Sequence, residues 1–387
     1  AVHEDVNFVV LAGDLYDGDW KDYNTGIFFH QEISRLGKHN IEVFSVAGNH
    51  DAANHMTKTL SLPENMKVFS AQHPETFERP ELGVALHGQS YPSRSVTSNL
   101  AIKYPRATVG CFNIGVLHTS LDGREGHADY APCSLSDLRM PGYDYWALGH
   151  VHKREVVRQQ DPCVIFSGCL QGRNIHETGT KGCTLVEVTD GNITSIRAQA
   201  VDVVRWFLCQ VDLTDITTLE DLEHLLKKEI ESKSKEAEGL PMIVRIKLIG
   251  QTQMATDFRA HRDRWQSEIK AKTLEIANYL GVDLWLEKVK FATQPPQESS
   301  RGTEAHGLLD HLIQAIHQPN YTIDQVPKLP EKLAILRSKL PHSLMANPDN
   351  HGDDFSLDGP NLTRLFQEGK DMLVSQLITL EKDFHED

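Results

Sequence analysis

The feature that most constrains the fold is a series of short apolar runs in the first 200 residues, separated by polar and helical stretches. These runs predict β-strands because they are short, rich in β-branched and aromatic residues, and bounded by turn residues. The run from Phe8 to Ala12 is apolar on both faces, which is typical of a buried strand in a parallel sheet. The predicted strands are NFVVLAG, IEVFSVAGNHD, FNIGVLHTS, YDYWALGHVH, CVIFSGCLQG and KGCTLVEVTDGNI.

A helix is predicted between the first two strands, in the segment NTGIFFHQEISRLGKHN. The turn sequence GKHN ends it. Four apolar residues can share one face of this helix: Ile27, Phe28, Ile33 and Leu36. A strand, a helix and a strand in this order form the βαβ unit of a layered α/β domain, so we predict an α/β fold for this region.

Four of the predicted strands end in polar clusters. The clusters contain Asp14 and Asp17, then Asn49, His50 and Asp51, then His118, and finally His150 and His152. Open α/β sheets place their ligand sites at the C-terminal ends of strands. We therefore expect these side chains to face one common site.

The residue types in these clusters predict a metal site. Asp oxygens, an Asn carbonyl oxygen and neutral His nitrogens favour Mn, Fe or Zn over Ca or an all-thiolate zinc site. A carboxylate can bridge two ions about 3.5–4 Å apart, and such a pair activates water for attack on a phosphoryl group. His50 adjoins the ligand Asn49 and can protonate the leaving oxygen as a general acid, with Asp17 orienting its ring.

Each cluster by itself also has a structural explanation. A Gly-Asp pair at a strand end is usually a turn, and GNHD could be a loop whose side chains bond to the backbone. A single His such as His118 is more often part of a core or a surface. Four clusters in this order, each at the end of a β-like run, favour one shared metal site.

The motifs GDLYD, GNHD, LHTS and GHVH resemble those of the calcineurin-like metallophosphoesterases. Longer stretches are similar to the DNA-repair branch of that family, the SbcD-like exonuclease subunits and the YhaO-like proteins. Those stretches are VNFVVLAGDLYDGDW, YDYWALGHVHKREV and FSGCLQGRNIHETGTKGCTLVEV. The resemblance is close over about residues 1–205, looser over the following module and weak after residue 300.

This resemblance implies a fold, a cofactor and a set of site residues. The fold would be the four-layer α-β-β-α metallophosphoesterase sandwich, and the cofactor would be two divalent metal ions, with Mn²⁺ expected. Asp14 would bridge the ions, Asn49, His118 and His150 would complete one site, and His152 would join Asp14 on the other. His50 would be the general acid and Asp17 its partner.

One part of the family pattern does not match this sequence. The family begins with an Asp-x-His motif on its first strand, which supplies two ligands to the second metal. Before Asp14 the chain offers only AVHED, with His3 and Asp5 in the reverse order. We expect that the sequence lacks an N-terminal strand, since the other motifs are intact; the alternative is a catalytically crippled chain with one incomplete metal site.

Arg173 and Glu177 follow another predicted strand, in LQGRNIHETGTKG. In the family this segment leads towards the rim of the site. Arg173 is therefore a candidate substrate-binding residue. A salt bridge within the turn is an equally good interpretation of the pair.

Composition and charge narrow the class of protein. The chain has 387 residues and a net charge of −15, which argues against a generally basic nucleic-acid coat. Metal ions can supply a local positive field, so DNA is not excluded as a substrate. No apolar run approaches the roughly 20 residues that span a bilayer. The six Cys are scattered without a C-x-x-C pair, which is typical of a reducing compartment, and we predict a cytoplasmic protein with no membrane partner.

Three domains are predicted along the chain. Residues 1–200 would form the nuclease domain. Residues 201–296 would form a small α+β module that caps the site and positions DNA, with strands in VRWFLCQVDLTDI, PMIVRIKLIGQT and VDLWLEKVKF. A Pro- and Ser-rich stretch follows. Residues 304–387 would be mostly helical and would dock on a partner or pack on the chain itself.

The leading functional prediction is a metal-dependent DNA-end exonuclease of SbcD type. The resemblance implies an SbcC-like ABC/SMC-type ATPase as partner, and a homodimer formed through the catalytic domain. One alternative is a phosphatase or small phosphodiester hydrolase of the same superfamily. The pattern GDxxDRG typical of those phosphatases is absent, because Gly18 and Asp19 follow Asp17. The other alternative is a DNA-end-binding scaffold with a decayed metal centre.

Overall fold

The computed structural model describes residues 1–16, 23–53, 61–123, 130–214 and 216–296, and four isolated positions at 316, 369, 370 and 373. The chain forms two compact units. Unit 1 comprises Ala1–Gly172 and Thr180–Asp202, and unit 2 comprises Arg173–Gly179 and the chain from Val203 onwards.

Unit 1 begins with a three-stranded parallel sheet. Its elements are β1 (Phe8–Leu11), α1 (Tyr23–Gly37), β2 (Glu42–Ser45), the short α2 (Asn49–Ala53) and β3 (Met66–Val68). The strands are ordered β1-β2-β3, and Phe8 of β1 pairs with Glu42 of β2. The parallel pairing follows from the connection through α1, which returns the chain to the same end of the sheet.

A six-stranded mixed sheet forms the second layer of strands, in the order β4-β5-β6-β7-β9-β8. Its strands are β4 (Glu75–Arg79), β5 (Val84–Gly88), β6 (Phe112–His118), β7 (Tyr145–Gly149), β8 (Glu155–Arg158) and β9 (Cys163–Phe166). The four inner strands β5, β6, β7 and β9 run parallel, while β4 and β8 are antiparallel edges. A hairpin follows, built from β10 (Gly182–Thr189) and β11 (Asn192–Ala200).

The two sheets of unit 1 share one apolar core. Phe44 of β2 packs in the same cluster as Leu86 of β5, Val116 of β6 and Ile165 of β9. The outer face of the small sheet packs against α1, and the outer face of the large sheet is covered by turns and the 3₁₀ helix Ala101–Lys103. The layered sandwich predicted from the resemblance is therefore confirmed. In the described residues, its outermost layer over the large sheet is formed by turns and 3₁₀ structure.

The buried face of α1 differs from the predicted one. Ile33 is buried and Leu36 packs beside it, as expected, but Ile27 is 47% exposed and Phe28 is 64% exposed. Phe29 packs on the sheet in their place. The prediction was wrong for Ile27 and Phe28 because a cluster of apolar residues at the start of a helix fits two overlapping faces, and packing on the sheet selects only one.

Unit 2 alternates strands and helices. Its elements are β12 (Arg205–Asp212), α3 (Leu219–Glu236), β13 (Met242–Gln251), α4 (Ala255–Ala260), α5 (Arg262–Leu280) and β14 (Leu284–Gln294). The strands are parallel in the order β12-β13-β14. The three predicted strands are present, but they run parallel and are connected by helices, so the unit is α/β rather than the predicted α+β.

The core of unit 2 lies between its sheet and its helices. Leu222, Leu226 and Ile230 of α3 are fully buried against strand residues such as Val244 and Ile246. Thr218 caps α3, because its side chain accepts a hydrogen bond from the Asp221 N–H. The three-domain division of the chain stays a prediction, and the helical region predicted at 304–387 lies outside the described residues apart from those isolated positions.

No helix in the described part of the chain is both long enough and apolar enough to cross a membrane.

Candidate metal centre

The predicted site residues lie where strands of the two sheets of unit 1 end. Asp14 follows β1, and Asn49 follows β2 as the first residue of α2. His118 is the last residue of β6, and His150 comes directly after β7. Asp14, His118 and His150 each place one ligand atom within 4.8 Å of the other two.

Asn49 completes this cluster through His118. The Oδ1 atom of Asn49 lies 2.9 Å from His118 Nε2, and Asp14 Oδ2 lies 3.3 Å from the same nitrogen. Asn49 and His118 are buried, and Asp14 and His150 are half-buried. The structure thus brings together four of the predicted site residues.

The tautomer of His118 shows what the cluster requires. Nδ1 lies 2.8 Å from the Ala12 carbonyl oxygen, which can only accept, so Nδ1 carries a proton and donates it. In the neutral ring, Nε2 then presents a lone pair towards the oxygens of Asn49 and Asp14. Three lone pairs converge on one point, and this arrangement needs a cation between them, either a proton on His118 or a metal ion.

The electrostatics of the pair agree with this requirement. Burial acts to raise the pKa of Asp14, but His118 and His50 outweigh it and lower the pKa of that carboxyl to about 2. Burial acts to lower the pKa of His118, but Asp14 and the Ala12 carbonyl outweigh it and the pKa is raised. Both shifts favour a negative Asp14 beside a positive charge.

Asp51 holds the two loops of the small sheet together, a role that the sequence did not reveal. Its side chain is 1% exposed. Oδ1 accepts hydrogen bonds from the N–H groups of Leu15 and Tyr16, at 2.8 and 3.2 Å, and Oδ2 accepts from Gly48 at 3.0 Å. Asp51 therefore fixes the positions of Asp14 and Asn49. Its place in the GNHD motif was a signal, but only the fold shows which backbone it contacts.

Close backbone approach also shapes the centre. A Cβ atom at Gly48 would lie 2.3 Å from Asp14 Oδ1 and 2.8 Å from His118 Cε1, so any larger residue would displace those side chains. Asp14 and His150 adopt positive φ angles of 57° and 98°. Such angles are uncommon for residues other than glycine and concentrate at functional sites, where the surrounding structure holds them.

Aromatic rings enclose the imidazoles. Tyr91 is buried, and its hydroxyl donates a 2.8 Å hydrogen bond to the His118 carbonyl oxygen. Its ring packs edge-on against His118 at 5.3 Å, and Tyr130 packs against His150 at 5.8 Å. Because burial raises the pKa of Tyr91, its hydroxyl stays protonated and keeps this bond.

The remaining predicted residues have different settings. The backbone N–H of His50 donates to Asp14 Oδ1 at 2.9 Å, and the His50 side chain is half-buried. Asp17, its predicted partner, lies outside the described residues. His152 lines a cavity of unit 1.

Arg173 and Glu177 belong to unit 2. The Arg173 N–H donates to Glu177 Oε2 at 2.7 Å, and the guanidinium lies 3.7 Å from Oε1. Arg173 and Glu177 therefore form an ion pair within a turn, which is one of the two interpretations that the sequence allowed. A substrate contact of Arg173 stays a prediction.

Family comparisons fit this geometry. Residues 1–154 match the calcineurin-like phosphoesterase family, and this range contains all four clustered residues. The chain carries a calcineurin-like metallophosphoesterase domain. Residues 206–294 match the middle domain of the metallophosphoesterase YhaO, so this part of the chain is similar to YhaO.

Two relatives place the chain more closely. It is 38% identical over 253 residues to the uncharacterized metallophosphoesterase YhaO of Bacillus subtilis (strain 168), which covers 65% of this chain and 61% of that protein. It is 24% identical over 221 residues to the DNA double-strand break repair protein Mre11 of Methanocaldococcus jannaschii, and the aligned region covers 54% of this chain and 58% of that protein. The chain thus matches less than two thirds of the length of either relative.

Proposed function

We propose that this metallophosphoesterase is a metal-dependent phosphodiesterase that acts on DNA ends, as an exonuclease of SbcD type. The observation that carries the proposal is the convergence of oxygens of Asp14 and Asn49 on the lone pair of His118. The similarity to an Mre11 described as a DNA double-strand break repair protein favours DNA over other phosphodiesters.

The side chains of this centre suit divalent ions of the first transition row. Asp14, Asn49, His118 and His150 would hold one ion, and Asp14 with His152 would contribute to a second. We propose Mn²⁺ at both. When bound, the ions supply positive charge that lowers the pKa of water and neutralises phosphoryl oxygens.

The chain itself supplies position and protons. The hydrogen bond from the His50 N–H fixes one oxygen of Asp14, which leaves the other directed at His118. The Ala12 carbonyl holds the His118 ring in the tautomer that presents Nε2. We propose His50 as the general acid that protonates the leaving oxygen, with Asp17 orienting its ring, and Arg173 as a substrate contact.

The decisive experiment combines metal analysis with a nuclease assay. The full-length natural protein is loaded with Mn²⁺ and incubated with end-labelled linear DNA and with covalently closed circular DNA. We expect nucleotide release from the linear DNA only. His50→Gln should bind the same amount of metal and release nucleotides at least about 10²-fold more slowly, the usual contribution of a general acid.

Other outcomes identify the alternatives. Hydrolysis of p-nitrophenyl phosphate but not of bis-p-nitrophenyl phosphate would make the protein a phosphatase. Hydrolysis of the diester without action on DNA would indicate a small phosphodiester substrate. Binding of DNA ends by a full-length protein that holds no metal would indicate a scaffold with a decayed centre.

The proposed partners follow from the same resemblance. We propose an SbcC-like ABC/SMC-type ATPase subunit as partner, docked through the region 304–387, and a homodimer formed through the nuclease domain. The six cysteines, which all lie in the described ranges, form no disulfide with one another, which favours a reducing compartment such as the cytoplasm. Co-purification of the full-length protein with the ATPase subunit, with and without residues 304–387, tests the docking region.

A further inference from the structure

Unit 1 contains a cavity of about 110 Å³ beside the turn that carries His150 and His152. Its walls come from that turn, from the segment after β9 and from the hairpin β10–β11. The cavity is lined by His152, Arg154, Ser167, Gly168, Cys169, Thr180, Lys181, Gly182, Cys183, Ala198, Gln199 and Ala200. It contains none of the clustered residues Asp14, His118 and His150, but it shares His152 with the proposed second metal position.

The walls of the cavity are held by the backbone. The Cys169 N–H donates to the His152 carbonyl at 3.0 Å, and the Gly182 N–H donates to the Cys169 carbonyl at 3.1 Å. Gly168 has a φ angle of 77°, and a Cβ atom there would lie 2.7 Å from the backbone nitrogen of Arg154. The segment after β9 is therefore pressed against the turn, and the cavity has a fixed shape.

Lys181 gives the cavity its chemistry. Only 9% of Lys181 is exposed, and its side chain makes no hydrogen bond or ion pair with any residue in the described ranges. Lys181 therefore brings to the cavity a positive charge that has no counter-charge among the described residues. An anion in the cavity would supply that counter-charge.

Arg154 adds a second positive charge. Its Nε atom donates to Thr184 Oγ1 at 3.2 Å, which anchors the guanidinium, and no described carboxylate forms an ion pair with it. None of the lining residues in the described ranges is acidic. This local excess of positive charge contrasts with the net charge of −15 of the whole chain.

We propose that this cavity binds a phosphate group, held by Lys181 and Arg154. The volume suits a single phosphate with part of its hydration and is too small for a nucleoside. Because the cavity adjoins the turn of His150 and His152, it would hold a backbone phosphate of the substrate beside the one that is cleaved. That last step rests on the proposed function; the binding of phosphate does not.

The two thiols in the walls allow a direct test. The metal-free full chain is treated with iodoacetamide at increasing inorganic phosphate, and alkylation is followed by peptide mass spectrometry. We expect phosphate to slow alkylation of Cys169 and Cys183, about tenfold at ten times its Kd, since only the free site reacts. Cys111, which is partly exposed and lies outside the cavity, is the internal control.

Variants identify the groups that hold the anion. Lys181→Gln and Arg154→Gln should abolish the protection, and Lys181→Arg should restore part of it. Lys38→Gln, which removes the same charge from an exposed position, should leave it intact. Absence of protection in the native chain, or equal protection in Lys181→Gln, would overturn the proposal.

A second measurement separates backbone phosphate from free phosphate. Binding of a DNA oligonucleotide to the full chain is measured at several salt concentrations. Loss of one phosphate contact in Lys181→Gln should reduce the slope of log K against log salt by about 0.7–0.9. An unchanged slope with intact phosphate protection would assign the cavity to free phosphate and overturn the backbone role. Failure of DNA hydrolysis alone would count against the proposed function, not against this site.

Discussion

At the residue scale, His118 connects the ends of the two sheets because each of its polar groups meets a different element. Its Nδ1 atom donates to Ala12 after β1, and its Nε2 atom faces Asn49 after β2. Its carbonyl oxygen accepts from Tyr91. The ring therefore cannot rotate without losing several contacts, so the lone pair of Nε2 is held ready for a cation.

Asp14 is the residue on which the metal-binding prediction depends most. Asp14→Asn removes the negative charge that attracts the cation, and we expect the variant to lose bound Mn²⁺ in equilibrium dialysis. The matched control is Asp190→Asn, because Asp190 is an exposed aspartate with a similar positive φ angle of 51°. Equal metal content in the two variants would show that Asp14 is not a ligand.

The pKa shift of His118 predicts a pH dependence for the metal-free protein. The pKa of His118 is raised above 6.5 in the folded state, so the protonated ring stabilises the fold fully below pH 6.5. This stabilisation is lost as the pH rises through the folded-state pKa.

We therefore expect the thermal midpoint of the metal-free chain to fall above pH 6.5 in calorimetric scans. Asp14→Asn should flatten this fall, since Asp14 is the main group that raises the pKa of His118. Added Mn²⁺ should bind more tightly as the pH rises, because it replaces the proton. A pH profile that is the same in both proteins would contradict this account.

At the element scale, the loops after β1 and β2 depend on one carboxylate. Asp51→Asn keeps one side-chain oxygen but replaces the other by an amide NH₂, which would face a backbone N–H. Two donors then face each other without an acceptor, and we expect a loss of about 1–3 kcal/mol in the free energy of unfolding. We expect weaker Mn²⁺ binding with an unchanged circular dichroism spectrum.

Asp144→Asn is the control for this prediction. Asp144 also accepts a backbone hydrogen bond, from the Asn113 N–H at 2.7 Å, but it precedes β7 instead of following a strand. Its substitution should destabilise unit 1 without changing Mn²⁺ affinity. If both variants bound the metal like the native chain, the positioning role of Asp51 would be rejected.

Helix α3 of unit 2 provides a prediction that does not involve the site. Thr218→Ala removes the N-cap hydrogen bond to Asp221, and the usual cost is about 1 kcal/mol. We expect the amides of the first turn of α3 to exchange about fivefold faster with deuterium. Thr217→Ala, at the exposed neighbouring position, should leave the exchange rates unchanged.

At the scale of the whole molecule, what the sequence predicted well was local. Asp14, Asn49, His118 and His150 could be found because each lies at or just beyond the end of a strand that is apolar enough to recognise, and strand ends in such folds meet. The position of the site was therefore contained in short patterns.

What the sequence did not predict depends on partners distant along the chain. The buried face of α1 was partly misassigned because Ile27 and Phe28 satisfy helical spacing but lie on the exposed side of the helix. The role of Asp51 depends on backbone donors 35 and 36 residues away. That Lys181 has no ion-pair partner among the described residues is a property of its folded environment, which no local pattern encodes.

Metal binding should stabilise unit 1 selectively. The free energy of binding is added only to the elements that unfold together with the site, and it reaches about 2.7 kcal/mol at a metal concentration of 100 times Kd. In hydrogen-exchange experiments on the full chain, Mn²⁺ should slow the amides of β1, β2, β6 and β7 by up to about 100-fold.

The strands of unit 2 provide the internal control for this experiment. Because β12, β13 and β14 pair only with each other among the described strands, their amides should exchange at the same rates with and without Mn²⁺. Asp14→Asn should abolish the slowing in unit 1. Equal slowing in both units would mean that the two units unfold together in one cooperative step. Bound metal would then stabilise both of them, and the prediction of selective stabilisation would be wrong.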